Sequence, residues 1–493
     1  MTSCLGDFKK FSSIYIKRMT KKTAIVWFRQ DLRLKDNPAL IHAVEEGYQI
    51  IPLYILDSDN AADWQRGAAS KWWLYKSLQA LNESLGGNMV FRKGKADDIL
   101  PEILKESGAS AVFWNRCYEP WRIKRDMQIK EWLKEFRITC ETFNGSLLWE
   151  PWEVHKKDGT PYRVFTPFYK NGCLKRPEPP EPRDAPKDIS YAQFSPRYSE
   201  SDLDLLPDIQ WYRKMEQYWS PGEKGAQERL HDFIENGLDG YKEGRDRPDK
   251  DNTSRLSPHL HNGEISPRDA WHVARTKGMD NAPVNDVKNF CSELGWREFS
   301  YSLLYYNPEM THAPIQEKFN NFPWDKDSGA LERWQKGQTG IPIVDAGMRQ
   351  LWETGWMHNR VRMIVGSLLV KNLLLHWHEG EEWFWDTLVD ADHANNSASW
   401  QWIGGCGADA APYFRIFNPV TQGEKFDPNG DYIRKFVPEL KNLPTKNLYA
   451  PWDAPPLILK GAGITLGKDY PEPIVDLKKS RERALEAFKS LKQ

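Results

Sequence analysis

The chain has 493 residues, with 68 Lys and Arg against 69 Asp and Glu, which gives a formal net charge of −1. Charged residues make up 28% of the chain and hydrophobic residues 40%, as in ordinary globular proteins, which excludes a disordered chain, a collagen and a coiled coil. No apolar run approaches the ~20 residues of a membrane span. A net charge near zero excludes a uniformly basic nucleic-acid coat but leaves a local basic groove open.

Residues 1–22 contain basic side chains but no long apolar region, so we expect an N-terminal extension rather than a signal peptide. Met19 precedes the first predicted strand and is an alternative initiator. Six scattered cysteines without a C-x-x-C pair predict a cytoplasmic protein with reduced thiols.

Residues 23–150 alternate short apolar runs with amphipathic stretches. The apolar runs predict strands at 24–28, 50–56, 88–91, 111–114 and 138–143. The stretches between them predict helices at 39–46, 68–85, 96–107 and 119–136. This alternation is typical of a Rossmann-like parallel α/β domain. No G-x-G-x-x-G follows the first strand, and no P-loop motif is present, which argues against a nicotinamide-dependent dehydrogenase and a P-loop enzyme.

Residues 151–220 lack this periodicity, and five prolines lie between Pro177 and Pro186, which predicts an extended interdomain linker. Residues 221–493 are helical in character. The helices predicted there are 224–235, 266–277, 284–306, 343–354, 359–376 and 381–389. The predicted fold class is therefore an α/β domain joined by a long linker to a mostly helical domain.

One predicted helix carries Glu293, Trp296 and Arg297 on a single face, because they are spaced three and four residues apart. An acid, a large ring and a guanidinium can together hydrogen-bond and stack on a base-like ligand. An ion pair beside a core tryptophan is the structural alternative.

A second helix begins at Asn359, which shares a face with Met363. Arg360 and Arg362 open this helix and suit a phosphate or a carboxylate, whereas a capped, solvated helix start is the alternative. The hydroxyls and amides of residues 253–258 also precede a helix, where they can bind an anion or simply cap it.

The segment 390–407 combines two acids, two amides and two tryptophans with a glycine-rich turn, a polar cluster ill suited to a plain core. Asp390 and Asp392 lack further ligands at metal spacing. The two His-x-His pairs, at 259–261 and 376–378, also lack a zinc-ligand pattern. We therefore expect no metal site.

These segments, in this order, resemble the photolyase/cryptochrome family. The resemblance runs from Ile25-Val26-Trp27-Phe28-Arg29-Gln30-Asp31-Leu32-Arg33 to about Pro473. Its most specific stretch is Trp400-Gln401-Trp402, continuing through Ala411-Pro412-Tyr413-Phe414-Arg415-Ile416-Phe417-Asn418-Pro419. The chain is most similar to the bacterial class I cyclobutane pyrimidine dimer (CPD) photolyases.

The resemblance implies a carbon–carbon lyase, a deoxyribodipyrimidine photo-lyase, with catalytic FAD in the helical domain. In the family, excited FADH⁻ passes an electron to the dimer, the cyclobutane ring splits, and the electron returns, so the protein contributes positioning and electrostatics. Asn396 would face N5 of the flavin, where a neutral amide suits a reduced anionic ring. The residues that would hold FAD are Tyr241, Thr253, Ser254, Arg255, Leu256, Ser257, Arg297, Asn359, Arg362, Asp390, Ala391, Asp392 and Asn396.

The family flips the dimer out of the duplex. By the same resemblance, Glu293, Asn359 and Asn396 would be the catalytic residues. Those that would contact the dimer or its DNA are Arg245, Glu293, Trp296, Arg297, Asn359, Arg360, Met363 and Trp402. Trp400, Trp377 and Trp324 match the tryptophan chain that carries electrons to the flavin, and they account for part of the 23 tryptophans.

The alternative function is a cryptochrome photoreceptor, which binds FAD but repairs nothing. Asn396 and the twenty residues that remain after Pro473 favour a photolyase. A (6-4) photolyase would carry a His-His pair where this chain has His358-Asn359, and a DASH-type enzyme also stays open. A dark flavin or nucleotide oxidoreductase lacks a nicotinamide fingerprint here.

A second, antenna chromophore is left open between a deazaflavin and a folate. Trp121 and Arg122 stand where folate-binding members place Asn and Glu, whereas the Glu119-Pro120 pair looks like deazaflavin-using members. The expected partner is UV-damaged DNA that contains cyclobutane pyrimidine dimers. We expect no membrane partner and a monomer.

Overall fold

The first strand, β1 (Thr23–Phe28), shows how the N-terminal unit forms. Its side chains alternate between two cores, with Ala24, Val26 and Phe28 on one face and Ile25 and Trp27 on the other. A strand buried on both faces needs helices on both sides, as in parallel sheets. This is the arrangement in the computed structural model, which describes residues 22–194, 198–409 and 414–491.

All neighbouring strands of the sheet pair in parallel, in the order β3-β2-β1-β4-β5. The other strands are β2 (Gln49–Leu56), β3 (Val90–Lys93), β4 (Ala111–Asn115) and β5 (Thr139–Phe143). The helices of this unit are α1 (Pro38–Glu45), α2 (Ala68–Ser84), α3 (Ala96–Ser107) and α4 (Pro120–Glu135). The predicted α/β architecture is confirmed. The predicted extension, with Met19, lies almost entirely outside the described residues.

The segment predicted as an extended linker is more tightly packed than expected. It contains the short helix α5 (Phe165–Pro167), several single turns, and buried side chains. Phe168 and Cys173 lie in the same apolar cluster as the helical unit, and Met215 and Trp219 pack with side chains of α2. Scattered aromatic residues provide this packing without any helical or strand period, which is why the sequence pattern missed it.

The rest of the described chain is helical, as predicted. Its helices are α6 (Glu223–Asp232), α7 (Tyr241–Gly244), α8 (Ser257–Asn262), α9 (Pro267–Arg275), α10 (Lys277–Asn281), α11 (Val284–Tyr306), α12 (Ser328–Gln335), α13 (Pro342–Thr354), α14 (Asn359–Ser367), α15 (Trp377–Thr387), α16 (His393–Gly404), α17 (Pro419–Phe426), α18 (Asp431–Phe436), α19 (Thr445–Leu448), α20 (Pro456–Ala462) and α21 (Leu477–Ser490). Across the described ranges, no helix is both long and apolar enough to cross a bilayer.

The helix predicted over 359–376 ends early, and the one predicted over 381–389 begins early. A π turn from Leu368 to Asn372 follows α14, and Leu374 then takes a positive φ of 58°, which ends the helix. The Nδ1 of His376 accepts from the backbone N–H of His378 and caps α15. A histidine cap is uncommon, so the start of α15 carried no sequence signal.

Charged side chains join the two units. Arg268 of α9 pairs with Asp36 at 2.9 Å, and Lys35 pairs with Asp269 at 2.9 Å. Arg33 is buried and donates to the carbonyl of Gly263 at 2.9 Å. These contacts fix the sheet against the helical unit and hence position the surfaces that both contribute.

Candidate functional site

The predicted anion-binding segment is held by α6. Arg229 donates from Nε to the carbonyl of Ser254 at 2.9 Å and from Nη2 to that of Thr253 at 3.1 Å. Leu256 is buried and anchors the turn. Arg255 adopts a φ of 50°, a conformation that side-chain-bearing residues rarely take and that is concentrated at functional sites.

Asp390 brings three separate segments together. The hydroxyl of Ser257 donates to its Oδ2 at 2.6 Å, and Arg362 Nη2 lies 3.1 and 2.8 Å from its two oxygens. Arg362 also donates from Nε to the carbonyl of Met357 at 2.8 Å, which fixes the guanidinium. Ala391 is buried beside Asp390. The start of α8, the first turn of α14 and the loop before α16 therefore share one wall.

Asp392 is the most heavily bonded acid of this wall. It caps α16 by accepting from the backbone N–H of Asn395 at 2.9 Å, and Tyr301 Oη donates to it at 2.6 Å. His261 Nδ1 lies 3.1 Å from its Oδ2. Burial opposes ionisation, but His261 and the charge of Arg297 hold the pKa of Asp392 well below its usual range. Asp392 is therefore a fixed negative charge that orients the start of α16.

Asn396 lies one turn into α16 and is buried. Its Nδ2 donates to the backbone carbonyl of Glu381 in α15 at 3.0 Å. This bond fixes which way the amide points, because the nitrogen is committed to the neighbouring helix. The amide oxygen is then the group that Asn396 offers to a ligand.

Two ion pairs lie on the side predicted to contact DNA. Arg245 Nη2 is 2.7 Å from Glu293 Oε2, and Arg360 Nη2 is 2.7 Å from Asp246 Oδ1. Burial raises the pKa of Glu293 above its ordinary value, although Arg245 opposes that shift. Tyr241 is buried with its ring centroid 5.9 Å from the Arg245 guanidinium. These half-buried charges form a polar rim.

Trp296 and Arg297 make contacts that the sequence did not predict. The indole of Trp296 stacks on Phe165 of the linker, with ring centroids 3.7 Å apart and an interplanar angle of 11°. Arg297 donates to the carbonyl of Ser146 at 2.6 Å and lies over the ring of Tyr301 at 4.9 Å. Phe165 therefore covers one face of Trp296, and Arg297 joins the two units as well as lining the site.

The remaining residues of the predicted DNA-facing set lie near helix ends. Asn359 is exposed at the start of α14, and Met363 lies one turn later with its sulfur 3.6 Å from Arg360 Nη1. Trp402 is half-buried in α16 and lines a small cavity with Arg415. The Ala411-Pro412-Tyr413 part of the motif lies outside the described residues, so this side of the site is described only in part.

The three tryptophans of the predicted electron chain differ in burial. Trp400 and Trp377 are buried, and Trp324 is partly exposed. The ring centroid of His376 lies 5.1 Å from that of Trp324 and 5.6 Å from that of Trp377, so one imidazole contacts both of these indoles. A Cβ added at Gly380 would overlap the indole of Trp400, so glycine allows α15 to approach α16 this closely.

The donors of this wall fit the diphosphate of FAD. Arg255 Nε and His358 Nε2 are buried and have no hydrogen-bond partner among the residues described. Such orphaned groups in a native site indicate a missing ligand or water. The hydroxyls of residues 253–257 and a guanidinium complement phosphate oxygens. Burial lowers the pKa of His358 to about 3, so its imidazole is neutral and does not bind the ligand through charge.

The corner predicted for an antenna chromophore is filled by charged and aromatic side chains. Glu119 accepts from Gln30 Nε2 at 2.8 Å and lies 3.4 Å from Arg122. The Arg122 guanidinium lies over the ring of Trp121 at 4.6 Å, and that of Arg125 lies over the same ring at 5.1 Å. Trp121 and Arg122 thus contact each other, and the identity of a second chromophore stays open.

Two family models match the chain. Residues 24–187 match the DNA photolyase model, and residues 290–490 match the FAD binding domain of DNA photolyase. The chain belongs to the photolyase/cryptochrome family. This confirms the resemblance and the FAD-binding helical domain inferred from sequence.

Relatives in this family match nearly the whole chain. A deoxyribodipyrimidine photo-lyase of Agrobacterium fabrum is 49% identical over 96% of this chain and 100% of its own length. Cryptochrome-1 of Arabidopsis thaliana is 39% identical over 95% of this chain and 70% of its own length. A solved structure described as a bacterial class III photolyase from Agrobacterium tumefaciens has a TM-score of 0.93, 47% identity, and coverage of 97% of this chain and 100% of that chain.

Several residues of this photolyase-family site were missed by the sequence analysis. Arg229, His261 and Tyr301 hold the wall around Asp390 and Asp392 that is predicted to bind FAD, and His376 contacts two tryptophans of the predicted electron chain. Of these residues, only His376 could have been found from the sequence, because it directly precedes a tryptophan of the predicted electron chain. The others act across gaps of 24 to 131 residues, which spacing rules do not reach.

Proposed function

We propose that this chain repairs cyclobutane pyrimidine dimers in DNA, using blue or near-UV light and fully reduced FAD. The observation that carries the proposal is the neutral amide of Asn396, oriented by the Glu381 carbonyl so that its oxygen is free for the flavin. An amide neither repels a reduced, anionic ring nor hands it an acidic proton. The 49% identity to a deoxyribodipyrimidine photo-lyase supports the same reaction.

In this proposal the chain binds FAD through the wall built on Asp390 and Asp392. Arg255 and the hydroxyls of Thr253 and Ser254 would hold the diphosphate, and Ser257, whose hydroxyl donates to Asp390, would brace the wall beside it. Bound FAD supplies the photoexcited electron donor. Asn396 would face the ring of bound FAD, and Asn396 and Trp400 would exclude water from it, because both side chains are buried.

The DNA side of the proposal rests on the polar rim. Glu293 and Asn359 would hydrogen-bond the flipped dimer, Trp296 and Trp402 would pack on its rings, and Met363 would support its lower edge. Arg245, Arg297 and Arg360 would contact phosphates or brace the rim. Because the formal net charge of the chain is −1, DNA binding has to come from this local patch and to weaken with added salt.

We propose class III, rather than the class I predicted from sequence, because the 47% identical solved structure is described as class III.

The domain bounds that we propose are 23–150, 151–220 and 221–493. We also propose that the chain is a monomer in the cytoplasm. Electron transfer through Trp324, Trp377 and Trp400 is also part of the proposal. Cryptochrome function is the second candidate, because a plant cryptochrome is 39% identical.

The proposal is tested by repair of two oligonucleotides, one with a thymine cyclobutane dimer and one with a (6-4) photoproduct. Each is incubated with the reduced holoprotein in blue light and in the dark. We expect loss of the cyclobutane dimer alone, and only in light. Loss of the (6-4) photoproduct would instead assign (6-4) repair to the chain. If neither lesion is lost while reduced FAD is bound, the photoreceptor function is favoured.

A further inference from the structure

Glu381 carries a buried carboxyl group that the site described above does not use. It lies in α15, and its side chain has no solvent exposure. Ser397 Oγ hydrogen-bonds its Oε1, whereas its Oε2 has no hydrogen-bond partner within the described ranges. Ser397 follows Asn396 in α16, and the Asn396 amide donates to the Glu381 backbone. The carboxyl group is thus directly behind the residue predicted to face the flavin.

His378 connects this carboxyl group to the surface. Its Nε2 lies 3.7 Å from Glu381 Oε2, and this nitrogen also lacks a hydrogen-bond partner in the described part of the chain. The His378 side chain is 27% exposed, and its ring packs edge-on against Trp377 with centroids 3.8 Å apart. Two orphaned polar atoms therefore face each other, one fully buried and the other on a side chain that reaches water.

A buried carboxylate with this environment is costly to ionise. Among the described residues, no Lys or Arg forms an ion pair with Glu381, and the charged neighbour on its own helix is the acid Glu382. Burial raises the pKa of Glu381 to about 8, although Ser397 opposes the shift. Burial, with His376 and His312 nearby, lowers the pKa of His378 to about 4. At neutral pH the pair is a carboxylic acid and a neutral imidazole.

We propose that Glu381 stores one proton behind Asn396 and exchanges it with solvent through His378. The inference rests on the proposed flavin function, because a carboxyl group held neutral behind Asn396 adds no negative charge beside a reduced, anionic ring. The O–H bond of Glu381 breaks when its proton passes from Oε2 to Nε2 of His378, which releases a proton to water from its exposed side. In the reverse direction, His378 takes a proton from water and releases one from Nε2 to Oε2, which restores the O–H bond. Over the cycle one proton is exchanged with solvent, and no electron moves between the two residues.

The stored proton is tested by infrared spectroscopy of the dark, full-length holoprotein. We expect a carboxylic C=O band at pH 7 that shifts in D₂O and titrates with a midpoint of about 8. Glu381→Gln removes the band, whereas Glu382→Gln, the matched acid on the same helix, retains it. Ser397→Ala keeps the carboxyl group but shifts the band, which covers the case in which Glu381→Gln does not fold. A wild-type spectrum without such a band would overturn the proposal that Glu381 holds a proton.

The route is tested by the rate at which D₂O shifts that band. His378→Phe should slow the exchange about 100-fold, the usual effect of removing a positioned proton carrier. The surface variant His231→Gln should exchange as fast as the wild-type chain. Equal rates in His378→Phe and wild type would overturn the route. Neither measurement involves DNA repair. The proposed proton on Glu381 can therefore be disproved while the proposed repair activity holds, and the repair activity can be disproved while the proton is confirmed.

Discussion

Glu293 in α11 meets Arg245, which follows α7, across 2.7 Å at the rim of the site. Neither side chain is fully buried, with 28% of Glu293 and 23% of Arg245 exposed. A pair at this depth is half-solvated and can exchange one partner for a polar ligand at modest cost. Burial raises the pKa of Glu293, so its carboxyl group is suited to hydrogen-bond a base edge.

Glu293→Ala should therefore reduce dimer repair per absorbed photon by about tenfold, the equivalent of roughly 1.4 kcal/mol of lost hydrogen bonding. FAD should remain bound, because the wall at Asp390 is intact. The measurement is the repair quantum yield of reduced holoprotein with a thymine-dimer oligonucleotide. Glu228→Ala, an exposed acid on α6, is the control. An unchanged yield in Glu293→Ala would remove this residue from the dimer site.

Trp324→Phe should block photoreduction of oxidised FAD, because phenylalanine does not serve as an electron relay at the partly exposed end of the chain. Repair by enzyme that is already reduced should be unchanged. Both are followed by flavin absorbance under blue light with a thiol reductant. Trp132→Phe, in α4 where the indole is tilted against Phe136, should photoreduce normally. Normal photoreduction in Trp324→Phe would contradict the assigned chain.

Gly380→Ala should destabilise the fold, because the added methyl group would overlap the indole of Trp400. Overpacking of this kind costs about 1–3 kcal/mol. Gly461→Ala is a matched control in helix α20, where a Cβ would meet nothing within 4 Å, and it should stabilise by roughly 0.5–1 kcal/mol. Denaturant unfolding of both variants measures whether each substitution lowers or raises the free energy of unfolding. A neutral or stabilising Gly380→Ala would mean that α15 and α16 lie farther apart.

Glu298→Gln should flatten the pH dependence of stability. Glu298 accepts from the backbone N–H groups of Leu148 and Trp149, and burial raises its pKa to about 7. Because the folded-state pKa is raised, the stability that this acid contributes is present at low pH and lost as pH rises towards 8. The loss is at most about 1.4 kcal/mol per pH unit.

Glutamine keeps a neutral acceptor at this position. The stability of Glu298→Gln relative to wild type should therefore increase as pH rises from 5 to 8. The free energy of unfolding at several pH values measures the difference in slope. Glu228→Gln, an exposed acid of α6, controls for the loss of one charge. Equal slopes in Glu298→Gln and wild type would show that Glu298 is ionised throughout.

The sheet was predictable because its strands are continuous apolar runs, such as Ile50 to Leu56, between amphipathic helices. Helix α11 was predicted with both ends correct, since its apolar spacing is unbroken over Val284–Tyr306. The break between α14 and α15 was not predictable, because apolar residues continue through Leu373–Leu375 while the backbone turns at Leu374.

The family resemblance named the individual residues of the site. It did not name the residues that they contact. Trp296 stacks on Phe165, and Arg297 reaches Ser146, across 131 and 151 residues of chain. Contacts of this range depend on how the linker folds back, which carries no local pattern. The sequence pattern offered His376 and His378 only as a metal motif, whereas the structure places both against tryptophans of the predicted electron chain.

The central claim is that fully reduced FAD, held against Asn396, drives repair. The most direct measurement is loss of a thymine cyclobutane dimer under one blue-light dose, with the same holoprotein prepared in oxidised and in fully reduced form. The account predicts dimer loss with the reduced form and none with the oxidised form when no reductant is added. Equal loss with both forms, or no loss with either, would contradict it.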